Sequence, residues 1–259
     1  MAKPKKEQAK VIRQEKIATD IFSMMIETSM AIDAKPGQFI SVYTKDASKL
    51  LPRPISICEI DHERGFLRIV YRVIGEGTAE FANYVAGDSI SILGPLGNGF
   101  PLEEAGKRVF LIGGGIGIPP ILELAKQLDS QKHNKQIIVG YRDELFLEKE
   151  LEKYGHIYIA TEDGSVGARG NVMDAIRENR LTADMIYACG PTPMLRAIKQ
   201  YAAEHKIPAW ISMEEKMACG VGACLGCVCK TTDKDEHAQV NSRRVCKDGP
   251  VFLAEEVIL

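Results

Sequence analysis

Apolar and polar residues alternate along most of the first hundred residues of the chain. The alternation is clear in DIFSMMIET, GQFISVYTK, FLRIVYRVI and DSISILGPLG, which are separated by turns rich in Gly, Asp and Pro. A period of two places apolar side chains on one face of a strand, so this region predicts an antiparallel β-barrel over residues 1–100. One segment departs from the pattern: GTAEFANYVA, residues 77–86, predicts a short helix that begins at Gly77 or Thr78.

The pattern changes at residue 108, where short apolar runs begin to alternate with helical segments. RVFLI, KQIIVGY, HIYIAT and DMIYACG predict buried strands, and PPILELAKQL, NVMDAIREN and TPMLRAIKQYAAEH predict helices. This order is typical of βαβ units, so we expect an α/β domain with a parallel sheet over residues 101–210. Residues 211–259 remain as a small C-terminal module that ends in the apolar VFLAEEVIL.

Composition and charge exclude some classes of function. Apolar residues make up 45% and charged residues 26% of the chain, and no stretch approaches the roughly 20 apolar residues that cross a bilayer. The basic start MAKPKKEQAKVIRQEK leads into no apolar segment, so we expect no secretory signal, no membrane span and a cytoplasmic protein. A net charge of -2 gives no overall attraction to nucleic acid or anionic lipid.

Cysteines are concentrated near the C-terminus, where five of the seven fall within residues 219–246. Such clustering favours a local metal site in a reducing compartment over disulfides spread along the chain. Cys219, Cys224 and Cys227 have the x4 and x2 spacing of plant-type [2Fe–2S] proteins, and eighteen residues separate them from Cys246, the predicted fourth ligand.

Structural zinc is the alternative for these thiols. Zinc modules are normally built from two C-x2-C pairs, and only one such pair is present, so the spacing favours iron–sulfur ligation. Cys229 is then left for packing, although on a strand it would share a face with Cys227 and approach the site.

A glycine-rich turn follows the first strand of the α/β domain. In VFLIGGGIGIPPILELAKQL the candidate residues are Gly113, Gly114, Gly115 and Gly117. The Rossmann pattern G-x-G-x-x-G fails here, because Ile118 or Pro120 stands where the third glycine is needed. The turn either brings backbone N–H groups to a phosphate or allows tight packing, and the sequence leaves both open.

A second turn at the same edge of the predicted sheet is ACGPTPML. Its strand ends at Cys189, and ligands of parallel sheets bind at the carboxyl ends of the strands. Cys189 is therefore either part of a ligand site or a small buried apolar residue. For Cys58, inside PISICEI, burial is the better account.

Two motifs in the barrel region suggest an anion site. LLPRPISI places Arg53 and Ser56 three residues apart, and VYRVIGEGTAEFANYV carries Gly77 and Thr78 into the short helix. Arg53 alone would indicate only a surface charge. A helix start, however, is favourable for a phosphate.

Together, Arg-Pro-Ile-Ser, the Gly-Thr turn, GGGIGIPP and CGPTPML resemble the ferredoxin–NAD(P)H reductase superfamily as far as residue 210. Many members have tyrosine where this chain has Ile55. The resemblance implies that Arg53 contacts the pyrophosphate of FAD and that Ser56 lies at the flavin ring. It also implies that Cys189 lies where the nicotinamide meets the flavin, so Ser56 and Cys189 are the candidate catalytic residues. The remaining implied FAD contacts are Pro54, Ile55, Val70, Tyr71, Arg72, Gly77 and Thr78.

With the cysteine module added, the whole chain resembles the electron-transfer subunits of bacterial NAD-linked dihydroorotate dehydrogenases, members of that superfamily. The resemblance implies FAD, a [2Fe–2S] cluster and NAD as cofactors. The implied partner is an FMN-containing catalytic subunit, in a heterotetramer with two of each subunit. Electrons would pass from FMN through the cluster and FAD to NAD+ in pyrimidine biosynthesis, since a flavin exchanges electrons both singly and in pairs.

Other functions stay open at this point. The chain also fits the small subunit of a sulfide dehydrogenase or of a ferredoxin-coupled transhydrogenase, or a zinc-stabilised binding module without redox function. GYRDE, residues 140–144, favours NAD over NADP, because Asp143 and Glu144 would repel a ribose 2′-phosphate, whereas Arg142 would attract it.

Overall fold

The protein is described by a computed structural model that covers residues 3–128, 132–234 and 240–259. Its N-terminal strands are β1 Lys5–Ala18, β2 Ile21–Glu27, β3 Phe39–Val42, β4 Arg53–Asp61, β5 Phe66–Arg72 and β6 Ser89–Leu96. They close into an antiparallel barrel in the order β1-β2-β5-β4-β3-β6, which confirms the predicted architecture. The short helix α1, Glu76–Phe81, begins one residue before the predicted Gly77.

The alternation of the sequence becomes the inside and outside of the barrel. Side chains at every second position of a strand point to the same face, so the apolar set fills the interior. The buried interior includes Val11, Met24, Ile26, Ile40, Ile57, Ile69, Ile90 and Ile92.

The second region forms a seven-stranded sheet. Its strands are β7 Arg108–Gly114, β8 Asn134–Tyr141, β9 His156–Thr161, β10 Ala168–Arg169, β11 Met185–Cys189, β12 Ala209–Ser212 and β15 Val251–Leu253. The order is β10-β9-β8-β7-β11-β12-β15, with parallel pairing except for the antiparallel β15. The direction of winding reverses at β7, and ligands of such sheets bind beyond the carboxyl ends of the strands at that point.

Helices cover both faces of this sheet, as βαβ units require. They are α2 Ile118–Gln127, α3 Glu148–Leu151, α4 Val172–Glu178 and α5 Thr192–His205. Pro119 and Pro120 occupy the first turn of α2, where the missing N–H groups cost no helical hydrogen bond. In the part of the chain that the structure describes, no helix combines the length and apolar character that spanning a membrane requires.

The cysteine-bearing segment has little regular structure and packs against both other regions. It contains the antiparallel pair β13 Val228–Lys230 and β14 Ser242–Arg244, followed by α6 Val245–Asp248. Cys227, Cys229 and Cys246 are buried in one apolar cluster with Phe39 and Leu96 of the barrel.

Strand β15 ties this segment to the sheet and to the barrel at once. Trp210, in β12, pairs with Leu253, in β15, at the edge of the sheet. From the barrel, the Asn98 amide group donates to the Val251 carbonyl at 2.8 Å and accepts from its N–H at 3.2 Å. The end of the chain therefore closes the contact between the domains.

A charged network fixes the opposite side of the barrel against the α/β domain. The Arg68 guanidinium, which is largely buried, donates to the carboxylates of Glu59 at 2.7 Å and Glu150 at 2.5 Å. Nearby, the Glu123 carboxylate of α2 accepts from the backbone N–H of Ile60 at 2.7 Å. Buried charges are tolerated when they are paired and hydrogen-bonded in this way.

Candidate functional site

A cleft of about 410 Å³ lies between the barrel and the carboxyl edge of the sheet. It brings together ten residues that the sequence singled out: Arg53, Pro54, Ile55, Ser56, Val70, Tyr71, Arg72, Gly77, Thr78 and Cys189. Cys189 comes from the α/β domain and the other nine come from the barrel, so the cleft is built across the domain contact. Its size is that of a typical site for a cofactor or another small molecule.

One end of the cleft is a cationic turn formed by Arg53 and the start of α1. A Cβ atom on Gly77 would lie only 2.1 Å from Arg53 Nε, so glycine is what lets the guanidinium lie against the turn. The Thr78 hydroxyl accepts from the backbone N–H groups of Ile74 at 2.9 Å and Gly75 at 3.2 Å, which holds the turn. This end of the cleft is suited to an anionic group.

Within the strands, the side chains divide between the cleft and the barrel core. Ser56 is half-buried, whereas Ile55 packs into the barrel interior. The Tyr71 side chain is also buried, and its hydroxyl donates to Gln14 Oε1 at 2.8 Å. Ile55 and Tyr71 therefore shape the wall from within.

Cys189 lines the cleft from the α/β domain, at the point where β11 ends. Its thiol is buried, and desolvation raises its pKa to about 12. With this pKa the side chain is an uncharged thiol at neutral pH. Since the thiolate is the nucleophilic form, Cys189 is a poor nucleophile here. Cys189 therefore offers shape and a weak hydrogen bond at this position.

The glycine turn packs mostly against the protein itself. A Cβ on Gly117 would lie 2.3 Å from the Cys189 carbonyl oxygen, one on Gly113 would lie 2.9 Å from Ile118 Cα, and one on Gly114 would lie 2.5 Å from Met194 Sδ. Gly115, with φ +51° and open space above it, is the member that faces a cavity.

That cavity is a second cleft of about 170 Å³, lined by Gly115, Asp143, Glu144 and the turn between β1 and β2. The Glu144 carboxylate accepts from the backbone N–H of Thr19 at 2.8 Å, and this bond holds the pKa of Glu144 below its ordinary value. Arg72 lines both clefts, so the two are neighbours.

The four predicted ligand cysteines form two pairs. Cys219 interacts with Cys224, and Cys246 interacts with Cys227. Burial and the adjacent Cys227 raise the pKa of Cys246 to about 12. Two pairs suit the two irons of a [2Fe–2S] cluster, which is held by four thiolates in all.

Backbone N–H groups point at these sulfur atoms. Val221 N lies 3.4 Å and Ala223 N 3.3 Å from Cys219 Sγ, and Cys246 N lies 3.4 Å from Cys227 Sγ. Burial opposes ionisation of Cys219, but the N–H groups and the Cys224 thiol lower its pKa to about 6. The backbone of the loop therefore favours a thiolate at Cys219.

Cys229 belongs to neither pair, although it is buried in the same cluster as Cys227 and Cys246. It lies in β13 opposite Arg243, and burial raises the pKa of its thiol. Its position remains consistent with packing, as the spacing suggested. Cys58, likewise, is fully buried in the core.

Several residues of the larger cleft were not found from the sequence: Phe39, Ile74, Gly75, Glu76, Ile116, Ser212, Met213, Glu214, Glu215, Met217 and Pro250. Five of them lie at the end of β12 or just after it, between residues 212 and 217. The parallel neighbour of β12, β11, ends at Cys189, so the strand AWIS was the available signal. Met217 is also two residues before Cys219, so the cleft is followed directly along the chain by the cysteine loop, residues 219–227.

Models of three protein families match successive parts of the chain. The model for the iron–sulfur cluster binding domain of dihydroorotate dehydrogenase B matches residues 214–258. Those for the oxidoreductase NAD-binding and FAD-binding domains match residues 111–200 and 8–100.

Similar proteins cover nearly the whole chain. A Geobacillus sp. (strain WCH70) protein named dihydroorotate dehydrogenase B (NAD(+)), electron transfer subunit is 42% identical over 98% of this chain and 99% of its own. A protein of the same name from Streptococcus mutans is 40% identical over 98% of each chain. Among solved structures, that of NADH-dependent reduced ferredoxin-NADP oxidoreductase superposes with a TM-score of 0.85 and 29% identity, covering 96% of this chain and 89% of the other. Phthalate dioxygenase reductase, at 17% identity and a TM-score of 0.63 over 93% and 94%, shares the fold.

The pairing of thiols predicts different outcomes for two serine variants. Cys229→Ser is expected to retain the iron and acid-labile sulfide of the parent chain, because Cys229 belongs to neither pair. Cys224→Ser is expected to lose at least half of both, because it breaks the Cys219 pair. Iron and sulfide analysis of the purified variants measures this, and equal losses in both would make Cys229 a ligand.

Proposed function

Because the chain belongs to the family of electron-transfer subunits of dihydroorotate dehydrogenase B, we propose that the larger cleft holds FAD and the paired cysteines hold a [2Fe–2S] cluster. The protein is an NAD-dependent flavin and iron–sulfur oxidoreductase component that transfers electrons in pyrimidine biosynthesis. The observation that supports the two sites most is their adjacency: Phe39 lines the cleft and packs in the same apolar cluster as Cys227 and Cys246.

In the proposed FAD site, charge and shape come from different residues. The Arg53 guanidinium neutralises the pyrophosphate, while Gly77 and Thr78 form the turn on which it rests. Ser56 and Cys189 flank the reactive part of the flavin, where a neutral Cys189 thiol leaves the chemistry to the cofactors. Bound FAD supplies the exchange between hydride transfer and single-electron transfer.

We place the nicotinamide cofactor along the carboxyl edge of the sheet, over Gly115 and the second cleft. Asp143 and Glu144 favour a ribose with a free 2′-hydroxyl, because a 2′-phosphate would meet their negative charge. Arg142 Nε donates to the Asp143 carboxylate at 3.1 Å, so these two charges offset each other and Glu144 supplies the remaining negative charge. Gly113, Gly114 and Gly117 act by letting the turn, α2 and β11 approach one another closely.

The partner that we propose is an FMN-containing catalytic subunit, in an assembly with two copies of each subunit. Its docking surface is the rim of the cysteine loop, defined by Val221, Leu225 and Val228, which are 45%, 64% and 38% exposed. Cys224 is exposed within this rim. Leu225 adopts φ +57°, which is rare for a bulky residue and typical of functional positions. Seven free cysteines also suit the reducing cytoplasm, where we place the complex.

A ferredoxin-coupled transhydrogenase subunit is the second candidate, favoured by the similarity to NADH-dependent reduced ferredoxin-NADP oxidoreductase. The two functions differ in the electron donor. The chain reconstituted with an FMN-containing dihydroorotate-oxidising subunit is expected to show flavin and iron–sulfur absorbance and to form NADH when dihydroorotate is added. NADH formation from reduced ferredoxin and none from dihydroorotate would favour the second candidate.

Removal of the Arg53 charge is expected to weaken FAD retention about 10- to 100-fold, since a hydrogen bond to a charged group contributes roughly 1.5–3 kcal/mol. The measurement is flavin release from Arg53→Ala, followed by fluorescence during dilution. Arg64→Ala is the control, because Arg64 is 75% exposed and pairs with Asp61 in the turn between β4 and β5. Equal flavin retention in both variants would remove Arg53 from the FAD site.

The Leu225→Asn variant tests binding of the catalytic subunit without disturbing the fold of this chain. Asparagine tolerates a positive φ, so the isolated subunit is expected to keep its iron, flavin and thermal stability. Binding to the catalytic subunit is expected to weaken about tenfold, because burial of a leucine side chain contributes roughly 1.5–3 kcal/mol. Val85→Asn, at a barrel position that is also 64% exposed, is the matched control in a titration calorimetry experiment. Unchanged affinity in both variants would show that the partner binds elsewhere.

A further inference from the structure

Ser41 carries an unusual polar atom at the centre of β3. The residue is 1% exposed, and its Oγ is the one buried side-chain oxygen or nitrogen in residues 3–128, 132–234 and 240–259 that lacks a hydrogen-bond partner. A buried hydroxyl without a partner is costly, and native proteins contain few. The buried Ser23 of the same barrel shows the usual arrangement, because its Oγ accepts from Arg68 Nε at 2.8 Å.

The surroundings of this hydroxyl belong to the two proposed cofactor sites. Within the barrel, Ser41 pairs with Pro54, and Phe39 is two residues earlier on the same face of β3; both neighbours line the larger cleft. On the other side lies Gly220, which follows the ligand Cys219. A Cβ on Gly220 would be 3.0 Å from Ser41 Oγ and 3.4 Å from Leu96 Cδ1.

Gly220 is therefore close-packed over the hydroxyl. It has φ +71°, which favours glycine, and the missing side chain leaves Ser41 Oγ directly beneath the cysteine loop. The backbone N–H groups of Val221 and Ala223 already point at Cys219 Sγ from the loop itself. Ser41 adds a donor to this region from the barrel.

We propose that the Ser41 hydroxyl donates a hydrogen bond to a sulfur atom of the iron–sulfur cluster held by this loop and thereby raises the reduction potential of the cluster. The inference rests on the proposed ligand set. Reduction adds one electron to the cluster, and the hydroxyl keeps its proton throughout. A donor stabilises the more negative, reduced state, as hydrogen bonds to cluster sulfurs generally do. Ser41 thus tunes the potential, and the cluster itself carries the electron.

The test is a redox titration of the reconstituted complex, followed by the electron paramagnetic resonance signal of the reduced cluster. In Ser41→Ala, the ratio of reduced to oxidised cluster at a fixed potential is expected to fall about three- to tenfold. A tenfold change corresponds to 59 mV for a one-electron couple. Ser41→Cys keeps the size of the side chain but donates weakly, so its shift is expected to be intermediate. Ser23→Ala, which removes a buried hydroxyl far from the cysteine loop, is expected to leave the ratio unchanged.

A second readout detects the hydroxyl proton directly. In the parent complex exchanged into D2O, electron–nuclear double resonance is expected to detect an exchangeable deuteron coupled to the cluster that Ser41→Ala lacks. An unchanged potential and unchanged coupling in a Ser41→Ala complex with normal iron content would overturn the role of Ser41 and leave the cluster site intact. A parent chain that binds no iron would instead overturn the ligand set.

Discussion

The contact on which the structure depends is the attachment of β15 to two domains at once. The strand adds to the edge of the sheet beside β12, while Asn98 of the barrel bonds both polar groups of the Val251 backbone. The segment between β12 and β15 carries the four paired cysteines, so both of its ends are fixed to the rigid sheet. A loop with little secondary structure can then present four sulfur atoms in a defined arrangement, because rigid elements on either side determine its course.

The same attachment explains why the cleft is continuous with the cysteine loop. Residues 212–217 leave β12 along the wall of the cleft, and Pro250 returns to it just before β15. The chain therefore borders the cleft before and after the predicted ligand cysteines. Phe39 and Leu96 pack against the buried cysteines, and Phe39 also lines the cleft. The cleft and the cysteine-bearing segment therefore share part of their boundary.

Much of this architecture could be read from the sequence, because the period of hydrophobic residues reflects burial directly. The closed barrel, the parallel sheet and the turns at Cys189 and Gly77 followed from local pattern, and the x4 and x2 spacing selected the cysteines. The close contact between Arg53 and Gly77 could not be predicted from local pattern, because the two residues are 24 positions apart in the sequence. Ser212, Met217 and Pro250 were not predicted as cleft residues, because they are distant from the barrel in the sequence and reach it only through the fold. The glycine turn could not be interpreted from spacing alone, because close packing and phosphate binding require the same residue.

The position of β15 after the other strands of its sheet also has a consequence for biosynthesis. Domains generally fold in order from the N-terminus as the chain emerges from the ribosome. The barrel and the first six strands of the sheet are therefore complete before residues 251–253 are released. The segment that carries the four predicted ligand cysteines is therefore fixed at its start, by β12, before β15 can fix its other end.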